Sequence, residues 1–240
     1  MSKTNQNKPP HPSTKGNAIT NFLKNYKHAW VLLYMFIYFP WFFYLEKTIT
    51  THYTSVHIRL DDLIPFNELF IIPYYLWFIY VAGVIAYFFF TSKEDYYRCC
   101  AFLFIGMTIC LTIYTLWPNG QDLRPTTFAR DNFLVDIVKR LYASDTCTNV
   151  CPSIHVFNSI GIHIAIMHSS KLKNKHWVRR TSFVLCVLIC LATVFLKQHS
   201  VFDGITALIL SVIMYLIVYV PNYSKLFNKQ HSLSESHTEA

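Results

Sequence analysis

Six apolar runs separated by short polar blocks divide the chain: Trp30 to Leu45, Phe70 to Phe90, Cys99 to Trp117, Ile154 to about Ser169, Thr181 to Leu196 and Val201 to Val220. Each approaches the roughly 20 residues that a helix needs to cross hydrocarbon. The first is short and aromatic, with Pro40 expected to bend its outer end. The pattern predicts an all-α fold, an integral-membrane bundle of six transmembrane helices over residues 29–221. The basic segment 1–28 and the polar segment 222–240 read as disordered cytoplasmic tails, because neither has an apolar core of its own. The N-terminal stretch does not read as a signal peptide, since the run behind it lacks a small-residue cleavage site.

The polar blocks differ in kind. Residues 46–68 include Arg59-Leu-Asp-Asp-Leu-Ile-Pro65, where acids and apolar residues mix at near-helical spacing. That piece can lie along the interface or fold back over the spans. Lys93 to Arg98 reads as a short charged turn and Lys171 to Arg180 as a basic one. Pro118 to Val150 reads as a polar loop, too long to be a mere connector. Within it Asn119 and Gly120 look like turn residues.

Composition fits the same picture: 53% of residues are hydrophobic and 14% charged, and the charges sit in the blocks between runs. The net charge of +8 therefore reports orientation in a bilayer, and nucleic acid is excluded as a partner. Fourteen Lys and Arg fall on the side of the termini and seven on the other. Both termini are accordingly expected in the cytoplasm, the plasma membrane being the expected location. The long loop and the block around His199 then share the outer face. Of seven cysteines, five lie in or beside apolar runs as small core residues. Cys147 and Cys151 sit four apart in the loop. An oxidising compartment would permit a bridge, but the spacing does not fix its geometry.

Candidate chemistry clusters on that face. His199 and Asp203 stand at i and i+4, so a helix starting near Ser200 lets the carboxylate hold the imidazole by one nitrogen, which is how histidine becomes a directed nucleophile or base. Such pairs are common by chance, so a second group is needed. Cys151-Pro152-Ser153-Ile154-His155 supplies it: Pro152 suits a first helical turn, and Ser153 and His155 then lie at a helix N-terminus that favours an anion. Arg124-Pro125 offers a guanidinium fork for a phosphate or carboxylate. Taken singly, each residue has a structural reading, as a cap, an anchor or a core histidine. His163 and His168 are read that way, as core or interface residues.

Taken together, Arg124-Pro125, Pro152-Ser153-Ile154-His155 and His199 with Asp203 resemble the three motifs of the type 2 phosphatidic acid phosphatase superfamily, integral-membrane lipid phosphatases and phosphotransferases whose pattern runs K-x6-R-P, P-S-G-H and S-R-x5-H-x3-D. The resemblance covers about residues 117–203. It departs at Trp117 (lysine in the family), Ile154 (glycine) and Ala192-Thr193 (Ser-Arg), which makes the chain look more like the branch containing inositol phosphorylceramide synthases. The resemblance implies a lipid phosphatase acting on a lipid phosphate or pyrophosphate, or else a phosphotransferase passing a phosphoryl headgroup to an acceptor alcohol. His199, oriented by Asp203, would form a phosphohistidine and His155 would be the acid and then the base. Arg124 and Ser153 would hold the phosphate, with Lys197 standing in for a missing cation. No cofactor and no metal is implied. A competing expectation is a non-catalytic membrane protein that keeps the bundle.

Overall fold

The computed structural model describes residues 26–221. The two expected tails lie outside the described residues, apart from positions 26–28. A 3-10 stretch, Lys27–Tyr34, leads into α1 (Met35–Thr48). There follow β1 (Thr54–Ser55), the one-turn α2 (Arg59–Leu63), α3 (Ile71–Thr91), α4 (Lys93–Leu116), β2 (Asn119–Gly120), α5 (Phe133–Ser144), α6 (Ile154–His168), α7 (His176–Phe195) and α8 (Val201–Val218).

Among the described residues five stretches are long and apolar enough to cross a membrane: Lys27–Thr48, Glu68–Thr91, α4, α7 and α8. Their outward faces carry Phe36, Ile37, Phe78, Ile79, Leu208 and Ile209, each about half exposed or more. An apolar surface of that extent calls for a lipid environment. α6, the fourth of the six expected spans, is apolar but has 15 residues. That gives about 22 Å at 1.5 Å per residue, short of the roughly 30 Å of hydrocarbon. The chain entering α6, Thr148 to Ser153, is buried. Non-helical backbone is tolerated at such a position because protein surrounds it.

Three polar blocks differ from the sequence reading. Lys93–Arg98 is not a turn but the first turns of α4, because Ser92 caps it by accepting from the Asp95 amide and acids follow in the first turn. The basic block opens in a 3-10 turn, Ser170–Leu172, and becomes α-helical at His176. The long loop contains α5, which Asn132 caps through the Val135 amide (3.0 Å) and which buries Val135, Val138 and Leu141 along one face.

α4 is the central helix, burying Phe102, Leu103, Met107, Cys110, Leu111 and Tyr114, whereas most of Glu68–Thr91 is not buried. It meets α6 at a reciprocal crossing. A Cβ on Gly106 would strike the Phe157 ring, and one on Gly161 would strike the Phe102 ring. Phe102 and Phe157 stack at 5.0 Å. These two glycines let α6 approach closely enough to be held in register. The Tyr114 hydroxyl of α4 then donates to the Pro152 carbonyl just ahead of α6. The start of α6, where His155 lies, is fixed from the core outward.

Candidate functional site

The segments joining α1 to α3, α4 to α6 and α7 to α8 meet at one end of the bundle. β1 pairs in parallel with β2, and Gly120 bridges to Thr148. α2 takes one of the two expected routes and folds back over the helices. Its Asp61, 2% exposed, accepts from the Ser200 hydroxyl (2.6 Å) and the Val201 amide (2.7 Å). Asp61 thereby pins the start of α8, a role that an acidic residue in a mixed segment does not advertise in the sequence.

α7 ends in a Schellman turn. The Lys197 amide donates to the Val194 carbonyl and the Gln198 amide to the Thr193 carbonyl, with Lys197 at φ 52. A lysine in the left-handed region costs about 1 kcal/mol. Its Nζ donates to the Asp61 carbonyl (2.6 Å). The Thr193 carbonyl also accepts from the His199 amide (3.0 Å). Thr193 therefore serves through its backbone.

His199 sits just before α8, outside the helix. Ser200 is the N-cap and Asp203 the third helical residue, whose Oδ2 accepts from the Ser200 amide (2.9 Å) in a capping box. That same Oδ2 lies 3.3 Å from His199 Nδ1, and the Val150 carbonyl lies 3.1 Å from it. The carbonyl can only accept, so Nδ1 carries the proton and Nε2 carries the lone pair in the neutral ring. Asn119 supports this hold. Its Oδ1 accepts from the amides of Val150 (3.0 Å) and Cys151 (2.8 Å), and its Nδ2 donates to the Cys151 carbonyl (3.1 Å). Asn119, read from sequence as a turn residue, is a fully buried strut.

Ser153 is the N-cap of α6, with Pro152 one residue outside, and its Oγ accepts from the Val156 amide. His155, in the first turn, has its ring 4.7 Å from that of Tyr74 and 4.4 Å from that of Trp77, both on α3. The His155 and His199 ring centroids are 5.7 Å apart at 61°. Both rings line the end of a groove of about 890 Å³ walled by the α1, α3 and α4 faces.

No model of a known family, no curated protein and no solved structure matches this chain.

The other expected phosphate ligands are placed elsewhere. Arg124 donates to the carbonyls of Tyr142 (3.3 Å), Asp145 (2.8 Å) and Thr146 (2.7 Å) and to the Gln198 Oε1. Its guanidinium also lies over the Tyr142 ring, 4.7 Å from the centroid. This is a cation closing the C-terminal end of α5. Arg124, Lys197 and Ser153 are not among the groove-lining residues. The polar lining includes instead Glu46, Asp145, Thr146, Thr148, Asn149 and Gln198. The Glu46 carboxylate accepts from the Thr146 hydroxyl and from Asn149 Nδ2 (2.9 Å), tying this lining to the end of α1.

Burial pushes the Asp145 carboxyl up to about 6, and the Glu46 carboxylate adds to the rise while Arg124 and His199 oppose it. The folded state thus holds this proton where an unfolded carboxylate releases it near 4. The resulting stability is complete below about pH 4 and is lost as pH rises through about 6. Asp145→Asn is expected to raise the unfolding temperature in detergent above pH 6, with the gain vanishing near pH 4. A gain independent of pH would contradict this assignment.

The remaining candidates have structural partners. His163 Nδ1 lies 2.9 Å from the Ser182 hydroxyl, which also meets the Tyr80 hydroxyl (2.6 Å), and His168 packs on Tyr215 and Tyr219. Cys147 and Cys151 are both free. Their sulfurs face different groups, the Tyr53 and Thr206 hydroxyls respectively.

Proposed function

We propose that this chain is a membrane lipid phosphatase or phosphotransferase of the type 2 phosphatidic acid phosphatase kind, a six-span bundle that works through a phosphohistidine. The observation that carries the reading is the paired placement of His199 and His155 at the end of an apolar groove. A near-attack approach of about 3 Å and one hydrogen bond of about 2.8 Å fit a phosphoryl group between rings 5.7 Å apart.

In the first step the His199 Nε2 lone pair attacks phosphorus, the P–N bond forms and the P–O bond to the leaving alcohol breaks. Protonated His155 donates to the departing oxygen. The positive charge on the His199 ring is met by Asp203 and by the Val150 carbonyl, both at Nδ1. In the second step neutral His155 takes a proton from water or from an acceptor alcohol, whose oxygen attacks phosphorus as the P–N bond breaks. The start of α6 adds its positive dipole end at the phosphoryl oxygens. In this reading the fourth span is completed by the buried segment ahead of α6, and the site faces outward from the plasma membrane.

One observation favours transfer from a phosphodiester lipid over hydrolysis of a phosphomonoester or pyrophosphate. Among the described residues that line the groove there is neither Lys nor Arg, whereas Glu46 and Asp145 are both there. A doubly charged phosphate would meet carboxyl groups without a compensating cation, and a singly charged diester demands less. The test uses the purified full chain in nanodiscs, with headgroup-labelled phosphodiester lipid or labelled phosphatidic acid, with and without an acceptor alcohol. Release of labelled phosphate from phosphatidic acid, or of the labelled phosphorylated headgroup from the diester, marks hydrolysis and a new labelled phospholipid marks transfer, the expected result. If neither product forms from any of these lipids, the enzyme reading fails and the non-catalytic alternative stands.

A further inference from the structure

The groove is apolar along most of its length, and four polar atoms of its wall are buried without a partner: Asn149 Oδ1 and Gln198 Nε2 in the polar lining already described, and one each on Asn158 and Trp77. Asn158, 2% exposed, has its carboxamide Oδ1 unpaired, and Trp77 has its indole Nε1 unpaired. Both residues line the groove. Both are near a reacting group: Trp77 packs on the His155 ring at 4.4 Å, and Asn158 follows His155 on α6 at i+3, the same helix face. Unpaired donors and acceptors in an apolar wall destabilise the ligand-free protein unless something in the groove pairs with them.

The order along the groove is the order along a phospholipid. The histidine pair stands at the polar end, Trp77 packs beside His155, Asn158 follows three residues, about 4.5 Å, further along α6, and Phe78, Val81, Phe104 and Met107 wall the rest. In an acyl-linked lipid the first carbonyl carbon lies about five bonds from phosphorus, within about 6 Å. A polyprenyl phosphate has only hydrocarbon there.

We infer that Trp77 and Asn158 form a backbone subsite that selects lipids with an ester or amide linkage next to the phosphate and disfavours polyprenyl phosphates. The indole N–H donates to the acyl carbonyl. The carboxamide turns about its own torsions to accept from a hydroxyl or amide N–H, or to donate to a second carbonyl. This rests on the lipid-phosphate reading of the groove and adds the substrate class to it. An unpaired buried group rejects the ligand that fails to pair it, so discrimination of about tenfold or more is expected.

Binding tests this separately from catalysis. Three phosphonates that cannot be cleaved, with matched chain lengths, would be titrated into the purified full chain in detergent by calorimetry: an O-acyl glycerol, an N-acyl amino alcohol and an isoprenyl compound. At least one acyl ligand should bind about tenfold tighter than the isoprenyl one, and which of the two leads identifies the linkage. Asn158→Leu and Trp77→Phe should each narrow the gap to under about threefold through weaker acyl binding. Equal affinities in the wild type, a gap that survives both substitutions, or no binding of any ligand would overturn the subsite. Acyl preference without turnover would count against the chemistry alone, and turnover without preference against the subsite alone.

Discussion

His199→Ala should lower kcat/KM for the best lipid phosphate by about 10³-fold or more, since it removes the atom that bonds to phosphorus. The substitution deletes a ring 7% exposed at the groove end and leaves Asp203 within its capping box, so the fold should persist. Labelled lipid should transfer acid-labile, alkali-stable label to the wild-type protein and none to the variant. His155→Ala should slow both steps for natural lipids, yet still accept label from an activated aryl phosphate whose leaving group needs no proton. That split separates a nucleophile from an acid, and two merely structural histidines would not produce it. Wild-type turnover in His199→Ala would remove the mechanism altogether.

Arg124→Ala is expected to have the largest effect on stability. The side chain satisfies the carbonyls of Tyr142, Asp145 and Thr146 together with Gln198 Oε1, and its loss leaves these acceptors facing a cavity. Each buried acceptor left unpaired costs about 1–3 kcal/mol, and the contributions are not additive, so a total of about 3–5 kcal/mol is expected. Gln198 immediately precedes His199, so the variant should also lose activity in proportion to the folded fraction. Arg124→Lys, which keeps the charge but not the fork, should fall between. Thermal unfolding in detergent alongside KM decides the matter. An arginine that binds substrate phosphate would raise KM about tenfold or more with the unfolding temperature unchanged, whereas the contacts here predict the reverse.

The contrast between these two residues shows how far the sequence is legible. His199 and Asp203 could be paired on paper because four residues separate them, and short-range spacing survives folding. They meet through the cap at Ser200, not along a helical face, but local chemistry still brings them together. Arg124 was equally visible as a cation next to proline, yet its partners lie 18 to 74 positions away. Asp61 and Ser200, 139 positions apart, give no local signal at all. Nor do Tyr74 and Trp77, whose contacts with His155 exist only once α3 is laid against α6.

By itself the sequence determined the all-helical membrane class, the order of the apolar stretches, and the candidacy of His155, His199 and Asp203. Those properties follow from composition, helical period and spacing within a turn or two, which act before distant segments meet. Only the tertiary structure decided that α6 is shorter than a full span, that the long loop carries a helix, that Arg124 and Lys197 bind backbone, and that carboxyl and amide groups line the groove. Those properties depend on which donors and acceptors remain after distant segments have paired, and pairing across the chain is set by packing in three dimensions.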